Sequence, residues 1–332
     1  MPAIKMWQPF HRQFPLRSKQ ASSSKRKRET SNYFLTKPKT KRLETENVYI
    51  NGLEIGHTSI QGFRPTMEDT HMITKTKLDN HTLIAVFDGH AGQHTAYYLS
   101  EHILQALEKE DLWIKYTQLS ISDRAKSSAL LCEMFVELYI HLDEALLPLE
   151  LNSGATAICS LITPTHIFAA SVGDSRCILG LKDDTVIIMS EDHKPENPKE
   201  KKRIITAGGF VYLDRVNGEL AMSRAMGDFQ YKTNSRLGVS QQMVICIPDV
   251  AVHVRTGEEK AMILACDGVW DIMQNSDAIA FISALIDEND PEKGAGTTLT
   301  RPLRACELAD AVVDVSLKSG STDNISAIVV KF

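Results

Sequence analysis

Acidic residues stand beside short apolar runs at several places in the chain. Two of these runs, 83–87 (LIAVF) and 262–266 (MILAC), end directly in Asp-Gly, at Asp88 and Asp267. A short apolar run closed by Asp-Gly predicts a buried strand that ends in a tight turn. The further acids at such junctions are Glu68, Asp69, Asp174 and Asp323. Taken singly, each of them is more often a turn or capping residue than a ligand.

Carboxylates that converge at one edge of a sheet need cations between them. Two like charges about 4 Å apart repel by about 4 kcal/mol at an effective dielectric of about 20. Convergence therefore predicts raised carboxyl pKa values or bound divalent ions, and oxygen ligands favour Mg²⁺ or Mn²⁺ over zinc. With the Gly89 carbonyl as a further oxygen and Arg64 to bind phosphate, the set predicts a two-metal hydrolase site. Alone, Arg64 is more often a surface ion pair, and His90 a hydrogen-bonded structural histidine.

The elements that position these residues alternate without a regular βαβ order. Broken alternation with β-branched residues predicts strands in 48–60 and 71–78 and an antiparallel meander in 155–189. One predicted helix has an apolar face formed by Ala96, Leu99, Ile103 and Leu107. A short hairpin is predicted around Asn217-Gly218, and a polar surface flap in 227–243. Together these patterns predict an α+β fold.

Composition places the chain among globular proteins. Of its 332 residues, 43% are apolar and 24% are charged, which is ordinary for a soluble domain. The six cysteines are widely scattered, which argues against a zinc site or a disulfide framework and for a reducing compartment. The sequence has neither a long apolar run nor a signal-peptide pattern at its start, so we expect an intracellular protein that is not secreted and does not span a membrane.

The first 47 residues differ from the rest in charge. They hold twelve Lys or Arg and three Asp or Glu residues, a net charge of +9, whereas the remainder carries −14. Because apolar periodicity is weak there, we predict a disordered basic leader at 1–47 before one domain at 48–332. Its basic cluster Lys25–Arg28 is typical of an import-receptor signal or a nucleic-acid contact, and a plain solvated tail is the alternative. The expected location is the cytoplasm, the nucleus or both.

The acids belong to an ordered set of motifs. The set is GFRPTMED (62–69), VFDGHAG (86–92), SGATA (153–157), VGDSR (172–176), EDHKP (191–195), AGGFV (207–211), LAMSRAMGD (220–228), ACDGVWD (265–271) and STDNIS (321–326). In order and content it resembles the metal-dependent protein serine/threonine phosphatases of the protein phosphatase 2C family. The resemblance implies a central β-sandwich of two antiparallel sheets flanked by pairs of antiparallel helices, with a binuclear centre at one edge.

The resemblance also implies the ligands of that centre. On this mapping Asp88 bridges two Mg²⁺ or Mn²⁺ ions, Asp267 and Asp323 complete the shell of one ion, and the Gly89 carbonyl serves the other. Glu68 and Asp69 hold metal-bound water or complete the second shell. Asp174 matches an acid that, with Asp267, holds a third and weaker ion in some members.

The implied activity is hydrolysis of phosphoserine and phosphothreonine in proteins by a metal-activated water, without a phospho-enzyme intermediate. Arg64 would bind the phosphate oxygens, and His90 would protonate the departing alkoxide. Phosphorylated proteins are the expected substrates, and a monomer is the expected state. The alternative is a binding protein that keeps the fold without the activity and uses its basic leader to hold nucleic acid or a partner.

Overall fold

The computed structural model describes residues 34–288 and 301–332. Its strands are β1 (Glu44–Ile50), β2 (Leu53–Ile60), β3 (Thr70–Lys75), β4 (Thr82–Phe87), β5 (Gly89–His90), β6 (Gly154–Ala155), β7 (Ala157–Ile162), β8 (His166–Val172), β9 (Arg176–Leu181), β10 (Val186–Ile188), β11 (Val211–Tyr212), β12 (Arg215–Val216), β13 (Met226–Gly227), β14 (Asp249–Val254), β15 (Glu259–Ala265) and β16 (Ile325–Lys331). Its α-helices are α1 (His94–Leu107), α2 (Asp111–Gln118), α3 (Ile121–Arg124), α4 (Ser128–Leu146), α5 (Pro198–Thr206), α6 (Asp267–Trp270), α7 (Asn275–Glu288) and α8 (Ala305–Lys318).

Two antiparallel sheets form the centre of the domain. One has six strands in the order β1-β2-β16-β15-β9-β10, and the other has five in the order β14-β8-β7-β4-β3. A small third sheet, β13-β6-β5, lies beside the end of β4. This arrangement confirms the α+β fold and the antiparallel sandwich predicted from the sequence.

Alternation along the central strands builds the layers. On β4, Leu83, Ala85 and Phe87 pack in the same cluster as α1, α2 and α4, whereas Ile84 and Val86 pack between the two sheets. The six-stranded sheet packs its outer face against α7 and α8 in the same way. Since burial of one large apolar side chain is worth about 1.5–3 kcal/mol, these layers hold the strand ends in place.

The helices follow the predicted apolar faces. The four stripe residues of α1, which are Ala96, Leu99, Ile103 and Leu107, are all buried. Within residues 34–288 and 301–332, none of the helices combines the length and the apolarity that crossing a bilayer requires.

The N-terminal hairpin differs from the prediction of one extended segment at 48–60. A turn at Asn51-Gly52, where both residues have positive φ, divides this segment into β1 and β2. Residues 34–47, assigned to the leader from sequence, lie against the domain: Lys39 pairs with Gly62, and Arg42 forms ion pairs with Asp310 and Asp314 of α8. Two sets of contacts explain the difference. Gly62, just beyond β2, pairs with Lys39 through its backbone, and α8 offers two acids to Arg42. The cluster Lys25–Arg28 lies outside the described residues.

The second hairpin also turns at a different place from the predicted one. β11 and β12 are joined at Leu213-Asp214, both with positive φ, and the Asn217-Gly218 turn follows β12. Asn217-Gly218 instead returns the chain to a single bridge between Val216 and Leu220. Two adjacent tight turns are present where the sequence pattern indicated one.

Candidate metal centre

Asp88 and Asp69 lie side by side at one end of the five-stranded sheet, where Thr70 pairs with Phe87. Asp88 follows β4, and Asp69 precedes the neighbouring β3. Their carboxylates and the Cys266 thiol offer ligand atoms within 4.8 Å of one another. Asp69 accepts a hydrogen bond from Ser326 Oγ through Oδ2 at 2.7 Å, while its buried Oδ1 has no partner in the described part of the chain. An unpaired oxygen at this position suits a cation.

Several acids of this region shift one another's pKa values. Burial and then the charges of Asp69, Asp267, Asp323 and Asp174 raise the pKa of Asp88 well above its ordinary value. Burial and the charges of Asp174 and Asp323 do the same for the pKa of Asp267. Burial raises the pKa of Asp69 to about 6. Divalent ions would relieve this repulsion, so these residues fit a metal centre.

The donor set of this centre is made of oxygens. Burial and then the charges of Asp69 and Asp88 raise the pKa of Cys266 well above its ordinary value, so the thiol keeps its proton. Its Sγ accepts from Ser326 N at 3.2 Å and lies 3.5 Å from the Asn324 carbonyl, so both contacts are to backbone groups of the segment that carries β16. These contacts give Cys266 a structural part, and the carboxylates supply the oxygens.

Asn324 joins the loops that carry the acids. Its Oδ1 accepts from Glu68 N at 2.9 Å, and its Nδ2 donates to the Gln61 and Thr66 carbonyls at 2.8 and 2.9 Å. Its own N–H donates to Asp323 Oδ1 at 2.7 Å. One amide thus ties the loop before β3 to the loop before β16 and orients Asp323.

Arg64 lies at the rim of the acid cluster. It is exposed and forms an ion pair with Asp323. Burial lowers the pKa of its guanidinium, but the charges of Asp323, Asp267 and Asp88 outweigh this effect and raise the pKa. The guanidinium therefore faces the acids, and part of its donor capacity is used by Asp323.

Glu68 and Gly89 meet on the other side of Asp88. Glu68 accepts from Gly92 N at 2.9 Å and from Thr66 Oγ1 at 2.8 Å. A Cβ at Gly89 would lie 2.5 Å from the Glu68 carbonyl oxygen, so only glycine fits here. The pairing of β5 with β6 holds Gly89 opposite Ala155.

Asp174 is buried and has a cationic partner. Lys194 Nζ donates to Asp174 Oδ2 at 2.6 Å, and Oδ1 has no partner among residues 34–288 and 301–332. The charge of Asp174 raises the pKa of both Asp88 and Asp267. Asp174 therefore belongs to the cluster, and Lys194 balances part of its charge.

His90 is paired with a further carboxylate, that of Asp228. Its Nε2 lies 2.6 Å from Asp228 Oδ2, and its Nδ1 has no hydrogen-bond partner in the described structure. A Cβ at Gly154 would lie 2.4 Å from both His90 Nε2 and Asp228 Oδ2. Glycine at 154 thus leaves room for this pair.

Three residues of the site have no role predicted from the sequence. These are Asp228, Asn324 and Lys194, all of which lie inside the quoted motifs LAMSRAMGD, STDNIS and EDHKP. Membership of a motif was the available signal, because their partners are distant in sequence. The His90–Asp228 contact, for example, spans 138 positions.

Comparison with known proteins agrees with this architecture. The family model described as Protein phosphatase 2C matches residues 53–325. The chain belongs to the protein phosphatase 2C family. It is therefore a protein serine/threonine phosphatase of a metal-dependent family, and the non-enzyme alternative from the sequence is set aside.

Individual relatives give the degree of similarity of this phosphatase. Protein phosphatase 1B of Mus musculus is 35% identical over 311 residues, which cover 90% of this chain and 75% of the mouse protein. Protein phosphatase ppm-1.A of Caenorhabditis elegans is 36% identical over 315 residues, which cover 91% of this chain and 64% of that protein. A crystal structure of a phosphatase from Toxoplasma gondii superposes with a TM-score of 0.70 at 25% identity, and the match covers 87% of this chain and 94% of the other.

The raised pKa of Asp69 predicts a pH dependence of stability in the metal-free phosphatase. The ordinary value is 3.8, and the folded protein holds the proton up to about 6. Because the folded state binds this proton more tightly, the stability it contributes is lost as the pH rises from about 4 to about 6. We expect the unfolding free energy of wild type minus that of Asp69→Asn to fall across this window. Urea titrations with a chelator measure it, and a flat or rising difference would contradict the prediction.

Proposed function

We propose that this phosphatase hydrolyses phosphoserine and phosphothreonine in proteins with two Mg²⁺ or Mn²⁺ ions held around Asp88. The Gly89 carbonyl, Asp267 and Asp323 would complete the ligands, with Glu68 and Asp69 orienting the water that remains on the ions. The observation that carries the proposal is the set of buried and half-buried carboxylates whose charges raise the pKa of Asp88. An oxygen-only donor set favours these hard ions over zinc.

The chemistry divides between the ions and the side chains. Bound ions supply a nucleophile at neutral pH, because they lower the pKa of water. Arg64 binds the phosphate oxygens and fixes the direction of attack. His90 gives a proton to the departing serine or threonine oxygen, and Asp228 orients the ring through its contact with Nε2. The cysteines take no part, because a water attacks directly and no phospho-enzyme forms.

A third, weaker ion would bind between Asp174 and Asp267. The unpaired Oδ1 of Asp174 supports this, and the Lys194 ammonium at Oδ2 explains why the affinity would be low. We expect an ion at this position to compete with Lys194 for the same carboxylate.

The metal-dependent assay tests the proposed function. Release of phosphate from a phosphothreonine peptide is measured with Mn²⁺, with Mg²⁺ and with a chelator in excess. We expect turnover that disappears on chelation and returns when either ion is restored. Turnover that persists in the chelator would refute the two-ion proposal.

Arg64 should matter for substrate phosphate. A charge-assisted hydrogen bond is worth about 1.5–3 kcal/mol, so Arg64→Ala is expected to lower kcat/KM by about ten- to a hundredfold. Arg64→Lys keeps the charge but loses the two-pronged geometry, so it should restore activity only in part. Inhibition by inorganic phosphate is the second measurement, and an unchanged inhibition constant in Arg64→Ala would contradict the assignment.

The basic cluster Lys25–Arg28 is proposed to bind an import receptor, which would place the phosphatase in the nucleus as well as the cytoplasm. Four consecutive basic residues support this. A fluorescent fusion should shift towards the cytoplasm when the four residues become alanine, and an unchanged distribution would contradict the prediction. Salt-dependent DNA binding that is lost with the same change would favour a nucleic-acid contact instead. A monomer stays a prediction, which light scattering on the eluted protein would check.

A further inference from the structure

A second group of ligand-type residues lies where the edges of the two sheets meet. β1 is an edge strand of the six-stranded sheet, and β3 is an edge strand of the five-stranded sheet. Side chains two positions apart share one face of a strand. On each of three strands, one face has an apolar residue in the core between the sheets, and the next residues on that face are of ligand type. Ile55 is followed by His57 on β2, Ile73 by His71 on β3, and Val48 by Glu46 and Glu44 on β1.

His57 is the unusual member of this group. Its side chain is 1% exposed, and neither ring nitrogen has a hydrogen-bond partner among the described residues. A buried imidazole that makes no hydrogen bond costs free energy, so its position needs an explanation. Burial, followed by the charge of His71, lowers the pKa of His57 well below its ordinary value. A neutral ring has one nitrogen with a free lone pair, which can act as a metal ligand.

His71 is oriented by two glutamates. Its Nδ1 lies 3.2 Å from Glu44 Oε2, and its Nε2 lies 3.3 Å from Glu46 Oε2. Histidine ligands of metals commonly donate their second ring N–H to a carboxylate, which selects the tautomer and the ring orientation. Glu46 can play that part at Nε2, which leaves Nδ1 beside Glu44 and the His57 ring.

The spacing within the group suits one small transition ion. Glu44, His57 and His71 each offer a ligand atom, and these atoms lie within 4.8 Å of one another. Zn–N and Zn–O bonds of about 2.0–2.1 Å place two tetrahedral ligand atoms about 3.3 Å apart. The Nδ1–Oε2 contact of 3.2 Å between His71 and Glu44 is of this size, and the centroids of the two imidazole rings lie 3.4 Å apart. The rings are 13° from parallel, so they must tilt out of the stack to direct both lone pairs at one ion.

We propose that His57, His71 and Glu44 form a second metal site, selective for zinc-like ions, with Glu46 orienting His71. Two imidazoles and one carboxylate are typical of zinc, whereas the acid cluster around Asp88 offers only oxygens. The side chains of Glu44 and Glu46 are 64% and 43% exposed, so an ion can enter from solvent. A bound ion would join β1 to β3 and thereby link the edges of the two sheets, two residues from Asp69.

Zinc retention by the full-length protein tests this site. The protein is loaded with Zn²⁺ in an excess of Mg²⁺, which occupies the carboxylate centre, and is then dialysed and analysed for metal. We expect about one Zn²⁺ per chain in the wild type and a higher melting temperature than in the zinc-free sample. His57→Phe, which keeps a flat ring in the buried space, should lose both the zinc and the increase in melting temperature.

Matched variants separate this site from the others. His141→Gln removes an exposed imidazole elsewhere and should retain the zinc, as should Asp88→Asn, which alters only the carboxylate centre. Glu44→Gln combined with Glu46→Gln changes exposed side chains, so it tests the site even if His57→Phe folds poorly, and it should lose the zinc. Wild-type protein that retains no zinc would overturn the proposal. Equal retention by the wild type and the Glu44/Glu46 double variant would also overturn it.

Discussion

Asp88→Asn is expected to lower kcat/KM on a phosphothreonine peptide by at least about a thousandfold in saturating Mn²⁺. The carboxylate lies at the centre of the acid cluster, and an amide cannot bridge two ions. Ion binding contributes several kcal/mol to transition-state stabilisation, and each 1.36 kcal/mol lost costs about tenfold in rate. Phosphate release under single-turnover and steady-state conditions measures the effect.

The same substitution should have the opposite effect on stability without metal. In the metal-free protein Asp88 is crowded by other carboxylates that raise its pKa, so a neutral side chain removes repulsion. We therefore expect Asp88→Asn to melt at a higher temperature than wild type in a chelator and at a lower temperature in Mn²⁺. Asp111→Asn, at the exposed start of α2, is the control. It should melt at the wild-type temperature both in the chelator and in Mn²⁺. Asp88→Asn activity within tenfold of wild type would refute the bridging role.

The acids of the centre could be predicted because the signal for each is local. Asp88 comes directly after β4, and Asp267 is separated from β15 by one residue, at the start of α6; the apolar residues of both strands are read from the sequence itself. A carboxylate at a strand end is restricted to one edge of its sheet. The local pattern therefore leaves only the relative position of the two sheets undetermined. The ordered motifs supplied that position by resemblance, and the sandwich in the structure agrees with it.

The partners of those residues could not be predicted, because they depend on packing between distant segments. Asn324 bonds to Gln61 across 263 positions, and Asp228 bonds to His90 across 138. Neither contact leaves a periodic pattern in the sequence. His57 shows the same limit, since a histidine in an apolar strand looks like an ordinary core residue. Only the structure shows His71 stacked on it and two glutamates beside them.

The contacts of residues 34–47 with the domain were unpredictable for a related reason. Basic residues with few apolar neighbours predict a solvated tail, because the acids that bind them are far away in sequence. Arg42 contacts Asp310 and Asp314, which lie one turn apart on α8. Phe34 packs its ring under the Arg64 guanidinium, 5.8 Å from the ring centroid. Part of the basic segment therefore lies next to the proposed phosphate-binding arginine.

His90→Gln is expected to be selective for the leaving group. Removal of a general acid typically costs about 10²–10⁴-fold, and we expect a loss in this range for kcat on a phosphothreonine peptide. Nitrophenolate leaves without a proton, so the loss on p-nitrophenyl phosphate should stay below about tenfold. The two substrates measured side by side on the same enzyme preparation give the ratio directly. His141→Gln, which replaces an exposed histidine, should leave both rates unchanged.

Asp228→Asn should show the same selectivity for the leaving group, with a smaller loss of rate on the peptide. The carboxylate holds His90 Nε2 at 2.6 Å and fixes the orientation of the ring, so its loss is expected to cost about ten- to a hundredfold on the peptide. Gly154→Ala leaves both groups chemically intact, but its methyl group would force them apart, so it should reproduce the pattern of Asp228→Asn. A merely structural role for the pair would lower the rates on both substrates equally. Equal losses in all three variants would therefore assign His90 to positioning and leave the departing oxygen to be protonated by water.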